Sequence, residues 1–370
     1  MAIRKYEWMH DRVARRFVLT ALGFILVAST PITWAVTIKT ASAASLSPKD
    51  LAAYQQAAAY SSAHRGLSMV VVKNGKIVFE DYAEGHSADE PHNLFSGTKS
   101  FSCAIAVAAA QDRLLSLDEP VSRTITEWQT DPQKSEITIR QLLSLTSGID
   151  AGPNGSILSH MFSSTPPYAE SINAPLLHSP GTKFQYGAIP FQIFGELMQR
   201  KLNAIGETPR QYLTRRVLDP IGLKVDSWNT TKDGDAKLSA GAFLTAREWA
   251  KYGQLILNGG QWGNAEVLNG NFLSECFKGS PVNPGYGLTF WLPANGGINS
   301  EGGSAAKASE KLRAIHIPGP IVKAAGVGGQ KLYVIPSENM VIVRQASRLP
   351  LWGWGFEDAE FLAPIFKQND

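Results

Sequence analysis

Between residues 48 and 64 the apolar side chains Leu51, Ala52, Tyr54 and Ala58 recur at helical spacing, and Ser47 stands where an N-cap belongs. Residues 67–72 and 76–82 follow as two apolar runs joined through Asn74-Gly75. That dipeptide takes left-handed backbone angles at low cost, so the pair predicts an antiparallel hairpin. From residue 96 to about residue 280 strand signals are scarce, and helical stretches such as 191–202, 209–217 and 246–257 dominate. Strand character returns at 286–292, 331–335 and 340–345, before a final helical stretch at 357–366. The tract 295–309, rich in Gly, Ser and Ala, has no periodicity to bury and reads as a loop.

Helix, hairpin, helical block, three strands and helix, in that order, predict an α+β domain. Its antiparallel five-stranded sheet is completed by both ends of the chain and flanked by the terminal helices. A mostly helical subdomain is inserted. Residues 44–370 then form one domain, with the sheet part at about 44–95 and 281–370 and the helical part at about 96–280.

A composition of 44% apolar and 18% charged residues is that of an ordinary globular chain and sets disorder aside. The formal charge of +3 says more once it is located. Residues 1–43 hold Arg4, Lys5, Arg12, Arg15, Arg16 and Lys39 against Glu7 and Asp11, a surplus larger than that of the whole chain. The remainder has no basic excess, which argues against a nucleic-acid partner. The same segment runs from basic residues through an apolar stretch at 17–30 to Ala41-Ser42-Ala43, the layout of an export signal cleaved after Ala43. The mature protein is expected in the periplasm or medium. Arg15-Arg16-Phe17-Val18-Leu19 matches a twin-arginine signal only loosely, so the general secretory route is the expectation. An uncleaved anchor over 17–38 is the alternative, and would be the chain's membrane contact. Two cysteines in an exported chain invite pairing. Cys103, however, falls in the apolar run 101–110, and the expectation is a small buried hydrophobe without a disulfide to Cys276.

Chemistry enters at Phe95-Ser96-Gly97-Thr98-Lys99, which turns apolar at once through Phe101, Ile105 and Val107. Ser96 is thus predicted at the start of a buried helix, with Lys99 one turn on and on the same face. Desolvation there lowers the lysine pKa and frees an amine to take the hydroxyl proton, while the helix N-terminus favours charge developing on the oxygen. A second Ser-x-x-Lys, from Ser304 to Lys307, lies in the loop tract without such a helix.

Further segments follow in order: Leu114-Leu115-Ser116-Leu117-Asp118-Glu119-Pro120-Val121, then Ile137-Thr138-Ile139-Arg140-Gln141-Leu142-Leu143-Ser144-Leu145-Thr146-Ser147-Gly148. With Ser96 and Lys99 they resemble the serine β-lactamase and penicillin-binding-protein family over about residues 48–366, Leu145 standing where His is frequent. The resemblance implies a β-lactamase/transpeptidase-like fold and a serine hydrolase. Such an enzyme needs no metal and no organic cofactor, and acts on a small-molecule or peptide substrate carrying a carbonyl. The family's Tyr-x-Asn falls on Tyr186-Gly187-Ala188, which keeps the phenol as a candidate base and loses the amide. Ser171-Ile172-Asn173 is an alternative second motif. The third motif, a basic residue, a small residue and Gly on the strand beside the site, is read onto Ala325-Gly326-Val327-Gly328-Gly329-Gln330. Val327 takes the basic position, Gly328 and Gly329 admit the substrate, and the Gln330 amide joins that of Ser96 in an oxyanion hole. The losses at Ala188 and Val327 point to esters rather than lactams. They leave open a slow penicillin-binding or sensor protein of the same fold. His86, Asp89 and His92 read as a solvated loop rather than a metal site, and Trp352 and Trp354 as core.

Overall fold

Ser47 accepts a 3.0 Å hydrogen bond from the Asp50 amide and so caps the first helix, α1 (Pro48–Ala63). The computed structural model describes residues 46–152, 165–300, 302–347 and 355–366. The export segment, Trp352 and Trp354 lie outside them. Strands β1 (Gly66–Lys73) and β2 (Lys76–Tyr82) turn at Asn74 and Gly75, both at positive φ, as their sequence predicts. Helix α2 (Ser100–Gln111) follows the nucleophile candidate, and α3 (Ile189–Leu202) and α4 (Ala246–Leu257) belong to the helical block. The chain returns to the sheet as β3 (Val322–Gly326), β4 (Gln330–Ile335) and β5 (Met340–Ala346), and closes with α5 (Asp358–Phe366).

The sheet has five strands in the order β2-β1-β5-β4-β3, antiparallel throughout. Both ends of the chain therefore build it. Alternation along each strand divides the side chains between two cores. Met69, Val71, Phe79, Tyr333, Ile335 and Ile342 meet α1 and α5 on one face, while Val70, Val72, Leu332, Val334, Val341 and Val343 meet the helical block on the other. No described helix is long and apolar enough to cross a membrane.

Three expectations are corrected. The fifth strand is β3, not residues 286–292, which make only isolated bridges from Trp291 to Tyr286 and to Lys323. Thr289 sits there at φ 74°, which breaks the extended run, and the aromatic residues of the stretch pack in clusters instead, Tyr286 on Trp291 and Phe290 on Phe277. The tract 295–309 is not all loop, since a helix forms over Ala306–Arg313. Cys103 and Cys276 form a disulfide across a separation of 173 residues, tying α2 to the end of the helix Gly270–Glu275.

Candidate active site

Ser96 lies in a tight turn, Phe95–Lys99, that runs directly into α2. The turn is forced. Phe95 holds φ 47°, costly for a residue with a side chain, and its amide is caught by Asn93 Oδ1 at 2.7 Å. Around it, the Ala242 amide donates to Thr98 Oγ1 at 3.1 Å, and Tyr252 Oη donates to the Ser100 carbonyl at 2.7 Å. A Cβ on Gly97 would come within 2.8 Å of the Trp249 ring, so α4 fits the turn only with glycine there. The packing leaves Ser96 partly exposed above a buried Lys99.

Lys99 Nζ stands 3.1 Å from Ser96 Oγ and donates to the Ser239 carbonyl at 2.9 Å. Burial pushes its ammonium down to about 7. The Tyr186 hydroxyl also bonds Ser96. Although the Tyr186 ring is partly exposed, its phenol is desolvated and pushed up to about 12, with the Ser96 bond opposing. Lys99 Nζ faces the ring of Tyr186, 5.0 Å from its centroid. The amine, rather than the phenol, is thus the group that changes charge near neutrality.

The segments flanking Tyr186 explain the motif at 137–148. The Gln185 amide donates to the Leu145 carbonyl at 2.9 Å and the Gly181 amide to Thr146 at 2.7 Å. A Cβ on Gly148 would lie 1.9 Å from the His178 carbonyl oxygen, and one on Gly187 2.0 Å from that of Ala151. Arg140 in turn holds Asp118 by a bidentate pair at 2.6 and 3.0 Å, joining the two sequence segments. Ser171 spends its hydroxyl on the Tyr168 carbonyl at 2.6 Å, and Tyr186 is the residue beside Ser96. Ala188 opens α3 and brings no amide side chain.

The glycines at 326–329 are placed differently from the expectation. Strand β3 ends at Gly326, and a Cβ there would lie 2.0 Å from the Leu94 carbonyl oxygen, so this glycine lets the strand reach the nucleophile turn. The triplet ending in that glycine is Ala324-Ala325-Gly326. The position read as basic falls on buried Ala324, not Val327, and there too the cation is absent. Lys323 points to the other face, where it pairs with Asp358.

Gln330 faces Gly326 across the β3–β4 ladder, which turns its backbone amide into the sheet and away from an oxyanion. Lys323 exchanges both backbone bonds with Trp291, at 2.8 and 2.9 Å, so its polar groups point off the outer edge of β3. Alternation turns those of Ala325, and of Val327 at the start of the turn, the same way. The edge amide nearest the close approach at Gly326 is that of Val327. Gly328 and Gly329 carry the turn at φ 86° and 88°.

Sequence reasoning missed an aromatic wall: Trp291 lies 5.4 Å from Tyr186 and 4.8 Å from Tyr286, and Phe184 lies 5.4 Å from Tyr286. Its signal was the aromatic density at 286–291. Among the described residues no group of three or more His, Cys, Asp or Glu is placed to hold a metal.

The sequence model of the family described as Beta-lactamase matches residues 51–360. Among solved structures the chain is similar in fold to EstCE1, described as a hydrolase with promiscuous acyltransferase activity, at 16% identity over 87% of this chain and 99% of that one, with a TM-score of 0.63. The octameric penicillin-binding protein homologue from Pyrococcus abyssi is 15% identical over 84% and 76%, with a TM-score of 0.61. A beta-lactamase from Mycobacterium bovis is 18% identical over 81% and 95%, with a TM-score of 0.55. No curated protein matches the chain.

Proposed function

Because the chain belongs to the Beta-lactamase family, we propose that it is a serine hydrolase that forms an acyl-enzyme on Ser96 and prefers uncharged esters. The observation that carries the reading is Lys99 Nζ, buried 3.1 Å from Ser96 Oγ with its pKa lowered to about 7. A neutral amine keeps one N–H on the Ser239 carbonyl and presents its lone pair to the Ser96 hydroxyl. As Oγ bonds to the substrate carbonyl carbon, its proton passes to Lys99. The oxyanion is held by the amides of Ser96 and Val327. The proton then moves through Tyr186, which bonds Ser96, to the departing alkoxide as its bond to carbon breaks. Water repeats the sequence in reverse, returns a proton to Ser96 and releases the acid.

Substrate preference follows from what surrounds the serine. Ala188 and Ala324 supply neither an amide nor a cation, and the adjoining wall is aromatic. A hydrogen bond to a charged group is worth about 1.5–3 kcal/mol, so a carboxylate-bearing lactam forfeits roughly ten- to a hundredfold in transition-state binding. An uncharged short-chain ester forfeits nothing, and its alkoxide leaves more easily than an amide nitrogen. The test is kcat/KM on p-nitrophenyl acetate and butyrate against nitrocefin. The esters should be turned over more efficiently. A higher value for nitrocefin overturns the preference, and labelling by a fluorescent penicillin without ester turnover favours the slow penicillin-binding reading.

A further inference from the structure

Gln330 is fully buried, and its side chain is committed in full. The β4–β5 ladder runs as far as Arg344 opposite Lys331 and stops there. In place of the next backbone pair, the Gln330 carboxamide bonds both polar groups of Ala346. Nε2 donates to the Ala346 carbonyl at 2.6 Å, and Oε1 accepts from the Ala346 amide at 3.0 Å. The second N–H of Nε2 reaches the Val327 carbonyl at 3.4 Å. One side chain therefore joins the end of a central strand to the turn whose first amide stands at the edge of β3.

Two other contacts converge on the same place. His92, ahead of the nucleophile turn, faces the Ala346 backbone as well. Below the sheet the buried Arg344 guanidinium donates to the Gly329 carbonyl at 2.7 Å and to Ser61 Oγ at 2.9 Å. A Cβ on Gly329 would lie 2.4 Å from Arg344 Nη1, so the turn and the guanidinium are fitted to each other. The turn 327–329 is thereby held from above by Gln330 and from below by Arg344, and the Ala346 backbone is common to the turn and to the approach to Ser96.

We propose that Gln330 is a positioning residue for the hydrolysis, its carboxamide holding the Val327 carbonyl and with it the residue whose edge N–H, on the preceding peptide, meets the developing oxyanion. The inference rests on the acyl-enzyme reading given above. A donor fixed before the reaction stabilises the transition state without reorganising, and contributes little to holding the ground-state carbonyl. Loss of the carboxamide should therefore appear in kcat and leave KM nearly unchanged. It should also slow activated and unactivated esters alike, since an oxyanion donor is indifferent to the leaving group, whereas loss of the proton donor Tyr186 should weigh on the poorer leaving group.

The experiment measures kcat, KM and thermal stability of Gln330→Met and Gln330→Glu with p-nitrophenyl butyrate and ethyl butyrate, beside Ser96→Ala and Tyr186→Phe. Gln330→Glu retains an acceptor for the Ala346 amide and, when ionised, lacks the donors to Val327 and Ala346, so it tests the role if Gln330→Met does not fold. The expected result is a fall in kcat of roughly ten- to a hundredfold for both esters in either folded variant, with KM within about twofold. A folded Gln330 variant with the parent kcat, while Ser96→Ala is inactive, overturns this inference alone. Full turnover by Ser96→Ala overturns the acyl-enzyme reading itself. A rise in KM with kcat unchanged assigns Gln330 to substrate binding and also overturns the proposal.

Discussion

Burial alone displaces Lys99 from its ordinary range, with no carboxylate contributing. The free amine predominates above about 7, so kcat/KM should rise with pH through that value and level off above it. Below it the amine takes a proton and activity is lost. A pH–rate profile that is flat across that value would contradict the role of Lys99 as base. Lys99→Ala should lower kcat by about a hundredfold or more, the usual worth of a proton-transfer group, measured under conditions where the variant is folded. The serine and lysine were legible because their chemistry needs neighbours three residues apart on one helical turn. The edge amide proposed to hold the oxyanion was not. Glycines at 326, 328 and 329 all resemble a motif glycine in one dimension, and only the contact of Gly326 with Leu94 separates the strand-end glycine from those of the turn.

Strong local chemistry also decided which elements could be read. Asn74-Gly75 needs positive φ and Ser47 needs a free amide to accept from, and both work within a few residues. Strand β3, Val-Lys-Ala-Ala-Gly, has little strand character of its own. It is made a strand by its ladder with β4 and by Lys323, whose ammonium pairs with Asp358 at the start of α5. The pairing of Cys103 with Cys276 was equally out of reach, because an apolar surround and a bonded partner are compatible and the partners lie 173 residues apart. The bond ties α2 to the segment that leads to Tyr286 and Trp291, and the Cys276 carbonyl accepts from the Leu288 amide at 3.0 Å. Cys103→Ser should lower stability by about 2–4 kcal/mol, because the disulfide restricts the unfolded chain. Urea unfolding with and without reductant checks this. Equal midpoints for the oxidised and reduced protein would contradict it.

The molecule as a whole places its chemistry at the seam between a sheet built from both chain ends and a helical block inserted between them. The order of periodicities along the chain was enough to anticipate that architecture. The seam itself was hidden, since Lys99, Tyr186, Ser239 and Gly326 come from distant stretches, and the contacts of Lys99 with the Ser239 carbonyl and of Gly326 with the Leu94 carbonyl engage backbone groups that no side-chain pattern reports. The central claim is that Ser96 carries the acyl group. Turnover of p-nitrophenyl acetate should be stopped with acid within the first catalytic cycles, and the protein digested and analysed by mass spectrometry. An acetyl group on the peptide containing Ser96, absent from Ser96→Ala together with its turnover, is the predicted result. Unmodified Ser96 peptide during active turnover, with Ser96→Ala hydrolysing the ester at the parent rate, would contradict it.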